Sequence, residues 1–197
     1  MICMASPQLI VGVLLAAGAG TRFGGGKLLH PLADGIAIAA HAARNLRAAM
    51  LDVVAVVRPG DFPLADMLEQ EGCHVTMCAD AVRGMGYSLA HGITAARDAA
   101  GWVIALADMP RIRPTTIQAV AGAISAGALV TAPTFQGERG HPVAFSAKLR
   151  DELRTLTGDS GARAVLERHV DAIQLVDCED PGVVLDVDAR TDLTRFT

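Results

Sequence analysis

The sequence predicts an α/β fold: a mainly parallel sheet covered by helices on both faces. Three observations carry this. Continuous apolar runs of strand length recur along the chain, as in Leu9–Ala16. Between them lie segments with apolar residues at helical spacing, and strands buried on both faces read as unbroken apolar runs in just such an alternation. The apolar content is also small in size, with 51% hydrophobic residues, 4% aromatic and 20 glycines, which suits helices lying close to a sheet.

The elements follow in order. Leu9–Ala16 is the first buried strand, and glycines follow it. Ile36–Leu51 reads as a helix with Arg44 and Arg47 on its outer face, and Asp52–Val57 as a strand that stops at the turn Arg58-Pro59-Gly60. Pro63–Gln70 is a short helix, His74–Cys78 a short strand, Ser88–Ala100 a helix and Trp102–Ala107 a buried strand. Beyond Pro114 come a helix at Thr115–Ala126 and a strand at Ala128–Ala132. A strand at Pro142–Phe145, helices near Ala147–Thr155 and Gly161–His169, and a strand at Ala172–Asp177 complete the pattern. Without repeats or a linker, residues 1–197 read as one domain.

Size and charge exclude several classes. A 20.4 kDa chain folds to roughly 8,800 Å² of surface from roughly 30,000 Å² extended, enough burial to fold without a disulfide or metal staple. The apolar content excludes disorder, and a net charge of −4 offers no basic footprint for nucleic acid. Leu9–Ala19 is too short to span a bilayer, and no Lys or Arg precedes Arg22 to open a secretory signal. The expectation is a cytoplasmic protein with Cys3, Cys73, Cys78 and Cys178 reduced. Cys73-His74 and Cys78 lack the spacing and the second ligand pair of a zinc site.

In doubly wound sheets ligands gather at the carboxyl ends of strands, which directs attention to the loops after Ala16, Val57, Cys78 and Ala107. The first runs Leu15-Ala16-Ala17-Gly18-Ala19-Gly20-Thr21-Arg22-Phe23-Gly24-Gly25-Gly26-Lys27. Its small residues let backbone N–H groups converge on anionic oxygens, and Arg22 and Lys27 add two cations. A Walker A loop is excluded because Thr21 stands at its first glycine and Leu28 at its hydroxyl position. A dinucleotide fingerprint starts at Gly18 and Gly20 but meets Phe23 at its third glycine.

Arg83-Gly84-Met85-Gly86-Tyr87-Ser88 opens a helix, where Ser88 either caps it or joins a ligand site. Leu106-Ala107-Asp108-Met109-Pro110 ends a buried strand in a carboxylate suited to Mg²⁺, or to a turn. Alternation in Asp186-Val187-Asp188 puts two carboxylates on one side, and Asp192 caps or solvates the final helix.

These segments together resemble the MobA-like nucleotidyltransferases, and most closely the molybdenum cofactor cytidylyltransferases. The carriers are Leu15–Lys27, Gly84–Leu89, Leu106–Pro110, Gly140-His141-Pro142-Val143, Gly158–Arg163 and Leu185–Leu193; Asp61–Met77 carries no likeness, and Ala189 stands where the family has Thr.

The resemblance implies a three-layer α/β/α Rossmann-like sandwich of the nucleotide-diphospho-sugar transferase type. It implies transfer of CMP from CTP to the terminal phosphate of Mo-molybdopterin, with Mg²⁺ as cofactor. Arg22, Lys27 and Asp108 are then catalytic, and Asp108 and Asp188 hold the metal, with Asp186 behind them. Leu15, Ala16, Ala17, Gly18, Ala19, Gly20, Arg58, Gly84, Met85 and Ser88 join Arg22 and Lys27 around the nucleotide. Gly140, His141, Pro142, Asp159 and Arg163 face the acceptor, although a lone histidine before proline is more often structural than catalytic, and Asp159 and Arg163 read equally as an ion pair at a helix start. The implied partners are CTP, the pterin acceptor and a recipient molybdoenzyme or its chaperone. Transfer to another phosphorylated acceptor, use of GTP, an NAD(P)-binding oxidoreductase and a non-catalytic nucleotide-binding partner are the alternatives.

Overall fold

A computed structural model describes residues 9–96 and 98–196; Cys3 lies outside them. Four parallel strands, β1 (Ile10–Leu15), β2 (Val53–Val57), β3 (His74–Met77) and β4 (Gly101–Leu106), are ordered β3-β2-β1-β4. The chain winds outward from β1 to β3, then crosses back to place β4 on the other side of β1. The sheet continues through β7 (Val143–Ser146) and β5 (Val130–Phe135), with β6 (Glu138–Arg139) and β8 (Ile173–Asp177) also pairing β5. β7 runs antiparallel between β4 and β5, while β8 is parallel to β5.

Alternation along each strand sends its side chains to two cores. Leu14, Val53, Ala55, Val103 and Ala105 pack under α1 (Ile38–Ala49), α2 (Phe62–Gln70) and α4 (Pro114–Ser125). Val13, Leu15, Val54, Val56, Trp102 and Ile104 pack under α3 (Met85–Ala95), α5 (Arg150–Arg154) and α6 (Arg163–Arg168). This is the three-layer arrangement that the alternating pattern predicts. A third, smaller cluster of Phe23, Leu32, Ile38, Val187 and Phe196 joins the first loop to the C-terminal segment.

Several boundaries differ from the sequence reading, each for a local reason. Helix α3 begins at Met85 rather than Ser88, with Gly84 as its cap. It ends by Ala95 because the Trp102 indole donates to the Ala96 carbonyl at 3.0 Å. Helix α1 starts at Ile38, since the Ile36 N–H is bound by Asp34 and its carbonyl by Leu32. The segment 147–155 divides into a 3₁₀ turn and the short α5, and the helix expected over Gly161–His169 contracts to α6.

The two-residue β6 escapes a reading based on periodicity. It lies in line with β7 along one edge of β5, but between the pairs Thr134–Arg139 and Thr131–Ala144 two residues of β5 face four, 140–143. Pro133 sits at this interruption and has no N–H to give the ladder. Its carbonyl instead accepts the Gly140 N–H at 2.9 Å.

Helix α3 crosses the sheet closely at Gly92, where a Cβ would stand 2.6 Å from Val13 Cγ1 and 3.0 Å from Val56 Cγ2. Gly92→Ala is expected to cost about 1–3 kcal/mol in urea denaturation through overpacking. Combining it with Val13→Ala should recover much of that loss, a non-additivity read from the double-mutant cycle.

Candidate active site

The loop after β1 is built by conformations that side chains avoid. Gly20 and Gly26 adopt φ of 58° and 65° on either side of the 3₁₀ turn Thr21–Phe23, a region that glycine enters without steric cost. Phe23, the residue that breaks the dinucleotide fingerprint, is 2% exposed and anchors the turn in the third cluster beside Phe196. Gly18 has no positive φ to require it and a Cβ there would meet nothing within 4 Å, a combination it shares among the described residues only with Gly122. Space beside its backbone is open.

The anchored turn and a second 3₁₀ turn at Lys27–Leu29 deliver the two cations. The buried Lys27 Nζ donates to Asp108 Oδ2 at 2.6 Å, at the end of β4. Arg22 pairs with Asp188. The Val187 N–H donates to the Asp108 carbonyl at 2.9 Å, so the C-terminal segment that carries Asp188 is tied beside the β4 loop that carries Asp108. Asp192 accepts from the Asp188 and Ala189 N–H groups at 2.9 and 2.7 Å, and these bonds hold its carboxyl below the usual range. It is a cap, as its position suggests, whereas Asp186 is exposed. Among the described residues no group of three or more His, Cys, Asp or Glu could hold a metal; a cation here would rest on two carboxylates, water and ligand oxygens.

Two cavities open at this edge. One of about 370 Å³ gathers Leu15, Ala17, Gly18, Ala19, Lys27, Arg58, Gly84, Met85, Ser88 and Asp108, most of the residues expected around the nucleotide. Ala16 lies beneath it, 1% exposed, with its N–H donated to Val56. Gly20 lines an adjoining 360 Å³ cleft that shares Gly18, Ala19, Lys27, Leu28 and Arg58 with this cavity. Ser88 is no cap; it is buried inside α3 and borders the cavity. Gly84 and Gly86 are required by packing, since Cβ atoms there would stand 2.4 Å from the Gly158 carbonyl oxygen and 2.6 Å from that of Thr157. The Gly86 N–H also donates to Gly158. That bond takes up one of the N–H groups at the helix start.

The second cavity, about 630 Å³, shares Leu15, Met85 and Leu106 with the first. His141 and Arg163 line it, but Asp159 borders the first cavity instead. Arg163 pairs with Glu167 at 2.8 Å rather than with Asp159. Gly140 lines neither cavity; a Cβ there would stand 2.2 Å from the Val183 carbonyl oxygen. Pro142 follows a cis peptide bond and leads the chain into β7. Burial pushes the His141 imidazole below the ordinary histidine range, with Arg139 adding to the shift and Asp108 opposing it.

Sequence reasoning missed Arg139, which lines the second cavity; its signal was the alternation 139, 141, 143. The zinc reading is closed by topology, since Cys73 and Cys78 point into cores on opposite faces of the sheet.

Residues 12–173 match the MobA-like NTP transferase domain. The chain is 31% identical to nicotine blue oxidoreductase of Paenarthrobacter nicotinovorans over 195 residues, covering 95% of this chain and 96% of that one. It is also 31% identical to the purine catabolism protein PucB of Bacillus subtilis over 196 residues, covering 94% of each. Among solved structures, Rv0371c of Mycobacterium tuberculosis superposes with a TM-score of 0.84 at 26% identity over 98% of each chain. The same protein has been solved in complex with manganese, TM-score 0.79 at 26% identity, covering 95% of this chain and 97% of that one. The sheet and helices are those of the nucleotide-diphospho-sugar transferase fold.

Because nothing in the protein occupies the space beside Gly18, Gly18→Ala is expected to shift unfolding free energy by under about 1 kcal/mol. It should weaken nucleoside triphosphate binding by about tenfold or more, a contrast that denaturation and calorimetric titration check together.

Proposed function

The chain belongs to the MobA-like NTP transferase family, and on that premise we propose that this nucleotidyltransferase moves CMP from CTP to the terminal phosphate of Mo-molybdopterin. The observation that carries the reading is the Lys27–Asp108 pair in the wall of a cavity that shares a wall with a larger one, with the Arg22–Asp188 pair tied in through the Val187–Asp108 backbone bond. The triphosphate lies along the backbone of Ala16–Gly26, with Arg22 and Lys27 on its outer phosphates. The base turns toward Ala17, Gly84 and Ser88. The acceptor enters through the larger cavity.

The acceptor phosphate oxygen attacks the α-phosphorus of CTP; a new P–O bond forms, the bond to the bridging oxygen breaks and pyrophosphate leaves. A phosphate nucleophile is already anionic, so positioning and charge neutralisation supply the catalysis. Arg22 and Lys27 hold the charge that develops on the leaving group. Asp108 and Asp188, oxygen donors with side chains 25% and 43% exposed, suit a hard divalent cation. Bound there, Mg²⁺ would supply further neutralisation of phosphate charge. The manganese complex of Rv0371c supports a divalent cation in this fold. The reading places the enzyme in the cytoplasm, consistent with the free thiols of Cys73, Cys78 and Cys178.

The relative named an oxidoreductase raises hydride transfer as a second reading. Against it, Phe23 fills the third-glycine position as core, and β2 ends at Val57 and is followed by Arg58 rather than by an acid. Incubation with NAD(P)H in place of CTP separates the two.

The deciding experiment measures pyrophosphate release with CTP, Mg²⁺ and molybdopterin. Lys27→Ala and Asp108→Asn are expected to lower turnover by about 10²-fold or more, and near-normal rates in either would sink the mechanism. Asp108→Ala is the poorer probe. It strands Lys27, whose side chain is 9% exposed, and should cost about 2–4 kcal/mol of stability, somewhat less than a fully buried pair.

Ala17 is 7% exposed and borders the nucleotide cavity. The family's guanylyl members carry glycine at this position, so its Cβ narrows the space for a base. CTP is expected to bind more tightly than GTP, and a titration series showing the reverse would refute this choice of base.

A further inference from the structure

Asp188 lies in residues 185–188, which form neither helix nor strand. A carboxylate on such a stretch has no ladder or helical turn to place it, so ties to other elements must do so. The Val187–Asp108 backbone bond is one tie. Two side chains that line none of the cavities, Asp180 and Arg111, supply one more on each flank.

On the N-terminal flank, Asp180 is 2% exposed. Its Oδ2 accepts from the Arg113 N–H at 2.8 Å and the Thr116 hydroxyl at 2.7 Å, and its Oδ1 accepts from the Gly182 N–H at 3.0 Å. Arg113 stands at the cap of α4, but its side chain makes no capping bond; Asp180 caps the helix from 67 residues away. A Ser or Asp at position 113 would serve α4 equally well. A cap drawn from the C-terminal segment also fixes that segment. Gly182 closes the contact, since a Cβ there would stand 2.2 Å from the Arg111 carbonyl oxygen. On the other flank, the Arg111 guanidinium donates to the Phe196 carbonyl at 2.8 Å and lies 6.0 Å from the centre of the Phe196 ring. Arg111 and Arg113 both belong to the short stretch between Asp108 and α4. The loop that carries Asp108 therefore holds the segment that carries Asp188 on both sides.

We propose that Asp180 and Arg111 are positioning residues for a divalent cation: together they set where Asp188 stands relative to Asp108, without touching nucleotide, acceptor or metal. The inference rests on the reading that these two carboxylates hold the cation. A coil left free to move would have to be ordered at the moment of binding, and affinity falls by the cost of that ordering.

The test uses the full chain and Mn²⁺ alone, with binding read from the loss of the free ion's paramagnetic resonance signal. Metal-free CTP affinity is titrated separately. Asp180→Asn and Arg111→Met are each expected to weaken Mn²⁺ binding about tenfold, with CTP affinity within about twofold of wild type. Arg111→Lys, which keeps a cationic donor, recovers most of the loss. Gly92→Ala, destabilised in the packing of α3 on the sheet, keeps wild-type Mn²⁺ affinity. Arg111 is exposed, so Arg111→Met keeps the test valid if Asp180→Asn does not fold. Unchanged Mn²⁺ affinity in Arg111→Met or in folded Asp180→Asn overturns the proposal. So does an equal loss of CTP affinity, an equal loss of Mn²⁺ affinity in Gly92→Ala, or an Arg111→Lys variant that behaves as Arg111→Met does. Asp108→Asn separates the inference from its premise. If that variant loses Mn²⁺ while Asp180→Asn and Arg111→Met retain it, the cation reading stands and this one falls. If Asp108→Asn binds Mn²⁺ as wild type does, the cation reading itself falls, and this inference with it.

Discussion

The adjacency of β1 and β4 is the constraint on which the site depends. Their parallel register sets Leu15 beside Leu106, and because the chain winds away from β1 through β2 and β3 before returning to β4, the loops leaving these two strands diverge and open a crevice at the switch point. The glycine-rich loop enters from one side and Asp108 from the other. Lys27 closes the gap at 2.6 Å. The C-terminal segment is then recruited through the Val187–Asp108 backbone bond and the cluster that holds Phe23 and Phe196. That cluster joins nearly opposite ends of the chain, where Arg22 and Asp188 pair.

The strands and the phosphate-type loop were legible because their signals are local. Val53–Val57 and Gly101–Leu106 are buried on both faces and announce it by composition, while Arg22 and Lys27 stand out in a run of small residues with no packing use for a cation. What was not legible is set by distant partners. The insertion of β7 between β4 and β5 leaves no trace in periodicity, and β6 exists only because β5 is there to pair it. Ser88 gave the appearance of a cap, yet the start of α3 is fixed by a loop some seventy residues on, through the Gly86–Gly158 bond.

The small residues divide by function in a way that composition hides. Gly92 and Gly101 let neighbouring layers approach, with a Cβ at Gly101 falling 2.8 Å from both Ile124 Cγ2 and the Phe145 carbonyl oxygen. Gly84, Gly86 and Gly140 let loops close on one another. Gly18 faces open space. A glycine that neither packing nor a positive φ demands, and that lines a cavity, is therefore the better marker of a ligand, and that criterion needs coordinates.

The two ion pairs at the crevice are not equivalent, and the difference bears on how charge is handled under the proposed reaction. Arg22 and Asp188 have side chains 78% and 43% exposed, so water screens their attraction and either can change partner at little cost. Lys27 is packed to 9% exposure; its ammonium cannot swing into solvent without breaking the core around it, and its attraction to Asp108 is screened far less. A phosphate chain must therefore come to Lys27, while Arg22 can follow the phosphate. As a phosphate draws on Lys27, the charge of Asp108 is less fully balanced, and a divalent cation is the natural group to restore the balance. Fixed lysine and mobile arginine thus give the crevice one charge that sets position and another that adapts to it.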